Sequence, residues 1–267
     1  MGKIVGIANQ KGGVGKTTTA LNVSVAIAYY GYRVLMVDLD PQANLTSGLG
    51  FSKVYPTVYD VLIKSVPVDE TVRKTKIDNL FLLPSEISLV GAEVELVEER
   101  DRETRLKRII MRLKRDYDYI IVDSPPSLGL LTLNGLVSSD SALIPIQSEF
   151  YALEGLGKLL NTIRMVQSKL NPRLTIEGVL ITMFDTRLNL SQQVVEEVRN
   201  YFGEKVYDTI IPRNVKLAEA PSFGLSIFEY DPNSRGAEAY KKLAEEILGR
   251  NGQKGTWKGP SGINTRS

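Results

Sequence analysis

The sequence contains no cysteine and no histidine. Those two absences together exclude disulfides, thiolate nucleophiles, imidazole bases and most zinc or iron–sulfur sites. Any catalysis must therefore run on carboxylates, lysines, backbone amides and a hard, oxygen-bound cation such as Mg²⁺. No apolar run is long enough to cross a bilayer. The N-terminus also lacks the layout of a secretory signal, because Gly6, Gln10 and Lys11 interrupt it, so the expected compartment is the cytoplasm. Charge of neither sign dominates: 33 basic and 31 acidic residues leave a net +2. Four of the basic residues (Arg250, Lys254, Lys258 and Arg266) fall between Arg250 and Ser267, where there is no acid, so +2 less those four leaves −2 for residues 1–249. The body is not a generally basic nucleic-acid binder, and any DNA contact needs a local patch.

A chain of 267 residues, 43% hydrophobic and 24% charged, reads as a globular protein with a substantial core. Lys3 to Ala8 reads as a buried strand that runs into a Gly-rich loop. Lys16 to Tyr30 follows as a helix closed by Gly31, and Arg33 to Val37 as a second strand ending in Asp38-Leu39-Asp40-Pro41-Gln42. Short helices are expected at Val58 to Ile63 and Glu70 to Lys74, a strand at Leu80 to Leu83, and an irregular helix over Ser85 to Glu99, interrupted at Gly91. An amphipathic helix over Arg102 to Arg115 precedes Tyr119-Ile120-Ile121-Val122-Asp123, the most strand-like run in the chain. Further on, helices are expected around Leu130 to Val137, Leu153 to Leu170, Leu190 to Phe202 and Arg235 to Leu248, and strands at Ala142 to Ile146, Glu177 to Met183 and Val206 to Ile211. Alternating strands and helices with no central linker predict an α/β fold: a single doubly wound, mostly parallel sheet with helices on both faces, spanning residues 1–249. A flexible basic tail is expected over residues 250–267.

In open parallel sheets, ligands gather at the carboxyl ends of the strands. Three chemistry-bearing loops fall there. Gly12-Gly13-Val14-Gly15-Lys16-Thr17-Thr18, between a strand and a helix, reads as a P-loop phosphate cradle, in which backbone amides and the helix N-terminus face the phosphate oxygens. Lys16 then reaches the β/γ-phosphates and Thr17 ligates Mg²⁺. Asp123, after a run of apolar and aromatic residues, has the layout of a metal-organising carboxylate. Asp38 and Asp40, two residues apart, fall on one side if the strand continues, and either can orient a water; Asp40 is the preferred candidate. The loop departs from the usual pattern at its start, where Gln10 and a second lysine, Lys11, replace the first glycine. Lys11 is either an ordinary surface lysine or a cation that reaches the phosphate of a neighbouring subunit.

Lys11-Gly12-Gly13-Val14-Gly15-Lys16-Thr17 resembles the deviant Walker A of the ParA/MinD group of P-loop ATPases. Asp38-Leu39-Asp40-Pro41-Gln42 is similar to their switch I and Asp123-Ser124-Pro125-Pro126-Ser127 to their switch II. Tyr151-Ala152-Leu153-Glu154-Gly155, Gly178 to Arg187, Ile211-Pro212-Arg213-Asn214 through Gly224, and Tyr230-Asp231-Pro232 through Ala237 resemble the chromosomal ParA (Soj) branch. The resemblance runs from Met1 to about Leu248. It implies an ATPase that forms an ATP-dependent sandwich homodimer, binds double-stranded DNA without sequence preference at the nucleoid, and is stimulated by a ParB-type partner in chromosome or plasmid partitioning. Position by position, it implies that Lys11 contacts the partner's nucleotide and that Lys16 and Thr17 hold phosphate and Mg²⁺. Asp40 positions the attacking water and joins Thr17 and Asp123 at the metal, which Asp123 organises. Met183, Pro212 and Asn214 line the adenine pocket, and Arg187, Lys216 and Arg213 contact DNA.

A MinD-like membrane-cycling ATPase shares the site but requires a C-terminal amphipathic membrane helix. Here Gly249 and a polar tail follow the last helix, so no stable membrane anchor is expected. Iron–sulfur carriers with the same loop need cysteines this chain lacks, and a small-molecule kinase needs a lid and acceptor pocket that no stretch supplies. A nucleotide-gated interaction module with negligible turnover shares every motif. No DNA-reading extension precedes the first strand, which favours a chromosomal role.

Overall fold

The computed structural model describes residues 2–149 and 154–260. Seven strands form one sheet in the order β3-β4-β2-β5-β1-β6-β7. They are β1 Lys3–Ile7, β2 Val34–Asp38, β3 Arg73–Lys74, β4 Leu80–Leu83, β5 Tyr119–Asp123, β6 Ser141–Gln147 and β7 Thr175–Thr182. Every pairing is parallel except β3 with β4 at the edge. The helices are α1 Lys16–Tyr29, α2 Asn44–Gly48, α3 Val58–Ile63, α4 Val68–Thr71, α5 Leu89–Glu95, α6 Arg105–Leu113, α7 Leu130–Ser138, α8 Glu154–Lys169, α9 Asn189–Phe202, α10 Val215–Glu219, α11 Ile227–Tyr230 and α12 Arg235–Arg250.

The central strands are continuous apolar runs because both faces are covered, yet the pleat still sorts their side chains by period two. Val34, Met36, Tyr119 and Ile121 pack on one face with α1 and α12, whereas Leu35, Val37, Ile120 and Val122 pack on the other with α3, α5 and α6. Ala142, Ile144, Ile146, Val179 and Ile181 continue that second face under α8 and α9. The fold is the doubly wound α/β architecture expected from the alternation of elements.

Five local expectations differ. Val206 to Ile211 is not a strand: the Tyr207 and Ile211 amides reach β7 carbonyls, but the Thr209 amide between them goes with that of Asp208 to the Glu246 carboxylate, and only Val206 bridges Val179. The helix expected over Glu70 to Lys74 stops at Thr71, and Arg73–Lys74 turns back as the antiparallel edge strand. Gly91 does not interrupt α5, and α6 is shorter at both ends than Arg102 to Arg115. The stretch expected as a free tail is tied to the body as far as Pro260. The Trp257 ring packs 5.4 Å from Tyr29, 5.1 Å from Tyr30 and 5.4 Å from Phe228, and the Lys258 amide donates to the Tyr29 carbonyl at 2.9 Å. Asn251 joins Lys3 and Glu177 beneath the sheet. An isolated aromatic in a polar sequence is enough to dock such a segment when an aromatic cluster awaits it. Tyr151 to Leu153 and Ser261 to Ser267 lie outside the described residues.

Candidate nucleotide site

Strands β2, β5, β1 and β6 are neighbours, so their carboxyl-end loops converge. Asp123 stands in register with Ile7 on one side and Asp38 on the other. This is where the sheet's connections diverge, and the cradle, both switch loops and the end of β6 meet there.

The loop from Asn9 to Gly15 is shaped from several sides. Asn9 donates to the Pro145 carbonyl at 2.7 Å and accepts the Lys11 amide at 3.1 Å. Gly13 and Gly15 adopt φ of 74° and 84°, conformations that side chains disfavour. Thr182, at the end of β7, donates to the Val14 carbonyl at 2.9 Å. Gly15 precedes α1 with no side-chain cap and no acid in the first turn, so the helix begins with free amides that suit an anion. Sequence reading missed the loop-shaping roles of Asn9 and Thr182; for Asn9 the only available signal was its place beside the Gly-rich run.

The two lysines part company. Lys16 is buried and donates to the Lys11 carbonyl at 3.1 Å; burial lowers its pKa, while the charges of Asp123 and Asp40 oppose that fall. Lys11 is more open, with its side chain 35% exposed and its Nζ 3.4 Å from the exposed Glu149 carboxylate.

The three carboxylates also differ. Strand β2 ends at Asp38, so strand alternation does not carry on to Asp40 and the two side chains are not an equivalent pair. Asp38 is fully buried and accepts from the Thr46 amide at 2.9 Å, the Thr46 hydroxyl at 2.7 Å and the Asp40 amide at 3.1 Å. Burial pushes its pKa up to about 6 despite those bonds. Its oxygens are engaged in shaping the loop. Asp40 accepts the Gln42 amide at 2.9 Å, and its own carbonyl is held by the Ser85 hydroxyl at 2.9 Å. Thr46 and Ser85, which sequence reading did not single out, therefore fix this loop.

Asp123 is fully buried, and neither carboxylate oxygen has a hydrogen-bond partner. Burial raises its pKa well above the ordinary carboxylate range, the Asp38 charge adds to the rise, and the nearby Thr17 hydroxyl and Lys16 offset part of it. A buried, unpartnered carboxylate beside a phosphate cradle is the arrangement a cation completes. Among the described residues no three acidic side chains cluster to form an all-protein metal cage. That suits Mg²⁺, which takes few protein ligands and keeps phosphate oxygens and waters. Thr17 and Asp123 would hold it.

The residues expected at the adenine lie next to one another but are not equally free. Met183 adopts φ of 52°, and Phe184 bridges Pro212, which brings the end of β7 beside the segment after Ile211. Asn214 caps α10, its side chain accepting the Lys216 amide at 2.8 Å. Arg187, Arg213 and Lys216 are exposed.

A family profile described as an AAA domain matches residues 2–176. The sporulation initiation inhibitor protein Soj of Bacillus subtilis is 58% identical over 249 residues, covering 92% of this chain and 98% of that protein. The chromosome-partitioning ATPase Soj of Treponema pallidum is 53% identical over 254 residues, covering 95% and 100%. The chain belongs to the Soj/ParA family of partitioning ATPases. As a Soj/ParA protein it is an ATPase, and the cradle, Lys16, Thr17 and Asp123 suit ATP and Mg²⁺. A Mycobacterium smegmatis protein described as cobyrinic acid a,c-diamide synthase, solved with an ATP analogue and magnesium, superposes with a TM-score of 0.83 at 37% identity, covering 96% of this chain and 99% of that one.

Proposed function

We propose that this Soj/ParA protein is a nucleotide-driven partition switch. Two copies bind ATP and close face to face into a sandwich dimer; the dimer binds double-stranded DNA without sequence preference; a ParB-type partner stimulates slow hydrolysis and the monomers separate. In this reading Gly12 to Thr18 bind the subunit's own triphosphate, and Lys16 neutralises charge that develops on the transferred phosphoryl group. Thr17 and Asp123 hold the cation, Asp40 orients the attacking water beside it, and Lys11 reaches the partner's nucleotide. Met183, Pro212 and Asn214 flank the adenine. Arg187, Lys216 and Arg213 contact DNA phosphates, which places the protein on the nucleoid.

The observation that carries the reading is the division between the lysines: Lys16 is buried near Asp123 and Asp40, whereas Lys11 is partly exposed and extends toward Glu149. A second, more open cation can serve a phosphate that is not its own. The membrane-cycling alternative is less well supported. The last described helix, α12, already buries Ala237, Tyr240, Leu243, Ala244, Ile247 and Leu248 in the core.

Binding to an arbitrary DNA duplex, measured without nucleotide, with ADP and with ATP, and run beside a liposome control, tests the reading. DNA binding with ATP alone supports it. Nucleotide-independent DNA binding, or ATP-dependent liposome binding without DNA binding, overturns it.

A further inference from the structure

Helix α5 has two apolar faces. Leu89, Ala92 and Leu96 are buried against the core, whereas Ile87, Val90, Val94 and Val97 stand 69, 53, 73 and 52% exposed. Their spacing of three, four and three residues is that of a coiled-coil seam, with Ile87 and Val97 in the hydrogen-bonded turns at either end of the helix. Single exposed apolar residues are ordinary, but four aligned on one short element form a surface. All four are β-branched, which weakens rather than helps a helix, so propensity does not account for them. Glu86, Glu93 and Glu98 occupy the positions that flank such a seam; Glu98 is exposed and Glu86 half-buried, giving it an acidic rim, whereas Glu93 turns inward with its Oε1 buried.

This face is mechanically close to the nucleotide. Immediately before it, the Ser85 hydroxyl donates to the Asp40 carbonyl and the Ser85 amide donates to the Thr46 hydroxyl at 3.0 Å. On the other side Glu93 lies against Gly129, where a Cβ would fall 2.3 Å from Glu93 Oε1; Gly129 ends the loop that begins at Asp123. A displacement of α5 is therefore felt at both loops that carry the site carboxylates.

We propose that the exposed face of α5 is where the activating partner docks, by laying a basic amphipathic helix along it. The apolar residues of that helix fill the seam of Ile87, Val90, Val94 and Val97, and its lysines or arginines meet Glu86 and Glu98. The proposal rests on the reading above, in which a partner stimulates hydrolysis. A second copy of this chain is the poorer occupant, because its own face brings the same acidic rim and like charges would oppose.

The test uses the full-length chain and the ParB-type partner from the same cell. Val90→Ser combined with Val94→Ser leaves folding, basal ATPase and ATP-dependent dimerisation unchanged, and raises the partner concentration for half-maximal stimulation about tenfold. Glu86→Lys combined with Glu98→Lys gives the same loss, and reversing the charge of the partner's flanking basic residues restores stimulation. A photoreactive side chain at position 94 crosslinks to a basic amphipathic segment of the partner. Normal stimulation of both double variants overturns the proposal while leaving the partner reading intact. Loss of ATP-dependent dimers in the valine variant also overturns it, by assigning the face to a second copy. A partner that fails to stimulate the unmodified chain overturns the underlying reading and the proposal with it.

Discussion

Asp185 grips Arg187 with both carboxylate oxygens: Arg187 Nε lies 2.9 Å from Oδ1 and Nη2 lies 2.6 Å from Oδ2. The hydrogen bonds from Arg187 hold the Asp185 carboxyl well below its usual range. The other two basic candidates carry similar escorts, Lys216 with Glu219 at 3.2 Å and Arg213 with Glu149 at 3.7 Å. A DNA phosphate must compete with an acid of the protein's own at each position. Asp185→Ala should therefore tighten ATP-dependent DNA binding a few-fold at low salt, whereas Arg187→Ala should abolish it while dimers persist. Both effects should shrink as salt rises. Fluorescence anisotropy with a labelled duplex across a salt series measures them, and salt-independent binding would exclude phosphate contact.

Asp38 and Asp40 should separate cleanly on mutation. Asp38→Ala leaves the Thr46 amide and hydroxyl and the Asp40 amide without their acceptor in the interior, a loss of about 1–3 kcal/mol of folding stability. Asp40→Ala should leave the unfolding midpoint nearly unchanged, retain ATP binding and stop turnover, so that dimers accumulate. Denaturant titration beside phosphate release and sedimentation distinguishes the two. Normal ATPase in Asp40→Ala would transfer the water-positioning role elsewhere.

Asp123 stores a penalty in the absence of nucleotide and cation, since its carboxylate is buried with neither oxygen hydrogen-bonded. Asp123→Asn removes the charge at nearly constant shape. The nucleotide-free variant should gain about 1–3 kcal/mol of stability relative to the parent, and the thermal shift produced by Mg²⁺ with ATP should fall. Differential scanning fluorimetry with and without Mg²⁺ and ATP reads both effects, and a less stable nucleotide-free variant would show that the carboxylate already has a structural partner.

The underside of the sheet supplies a pH dependence. Burial alone would raise the Glu177 pKa, but Lys3 at 2.5 Å, the Ser141 hydroxyl at 2.6 Å and Asn251 at 3.2 Å together hold it below its ordinary 4.5. A depressed folded-state pKa means that the stabilisation is fully present above the unfolded value and is lost as pH falls below about 4.5. Glu177→Gln should lower stability at neutral pH by about 1–3 kcal/mol, because Lys3 loses its charged partner but keeps Asn251 and some solvent. It should also flatten the fall between pH 4.5 and lower values. Urea unfolding midpoints measured at pH 7 and below pH 4.5 provide the check; equal slopes in parent and variant would remove Glu177 from the acid-sensitive set.

Much of the fold was legible because its signals are local. Continuous apolar runs such as Tyr119 to Val122 demand cover on both faces, and helices such as α12 carry their buried stripe in plain periodicity. Gly31 marks the end of α1 with φ of 93°, the conformation for which glycine is used at that position. Val206 to Ile211 looked equally strand-like, yet the Asp208 and Thr209 amides in its middle go to Glu246, a carboxylate 37 residues away from Thr209. No window of sequence contains that competition.

For the site, the residue types and spacing alone determined that a phosphate cradle, a strand-end carboxylate and a surplus lysine exist, and the lack of histidine and cysteine confined the chemistry to carboxylate, lysine and Mg²⁺. Only the tertiary structure decided how those groups differ. Asp38 and Asp40 are the same residue type two positions apart, but Thr46 and the end of β2 consume one and leave the other. Lys11 and Lys16 share a loop, but Lys16 is buried near two acids and Lys11 is partly exposed. Trp257, isolated in a polar stretch, is held by three aromatic rings: Tyr29 of α1, Tyr30 just after it and Phe228 of α11. Burial and hydrogen-bond competition are properties of what lies nearby in space, and the chain brings those neighbours together only when the sheet has formed.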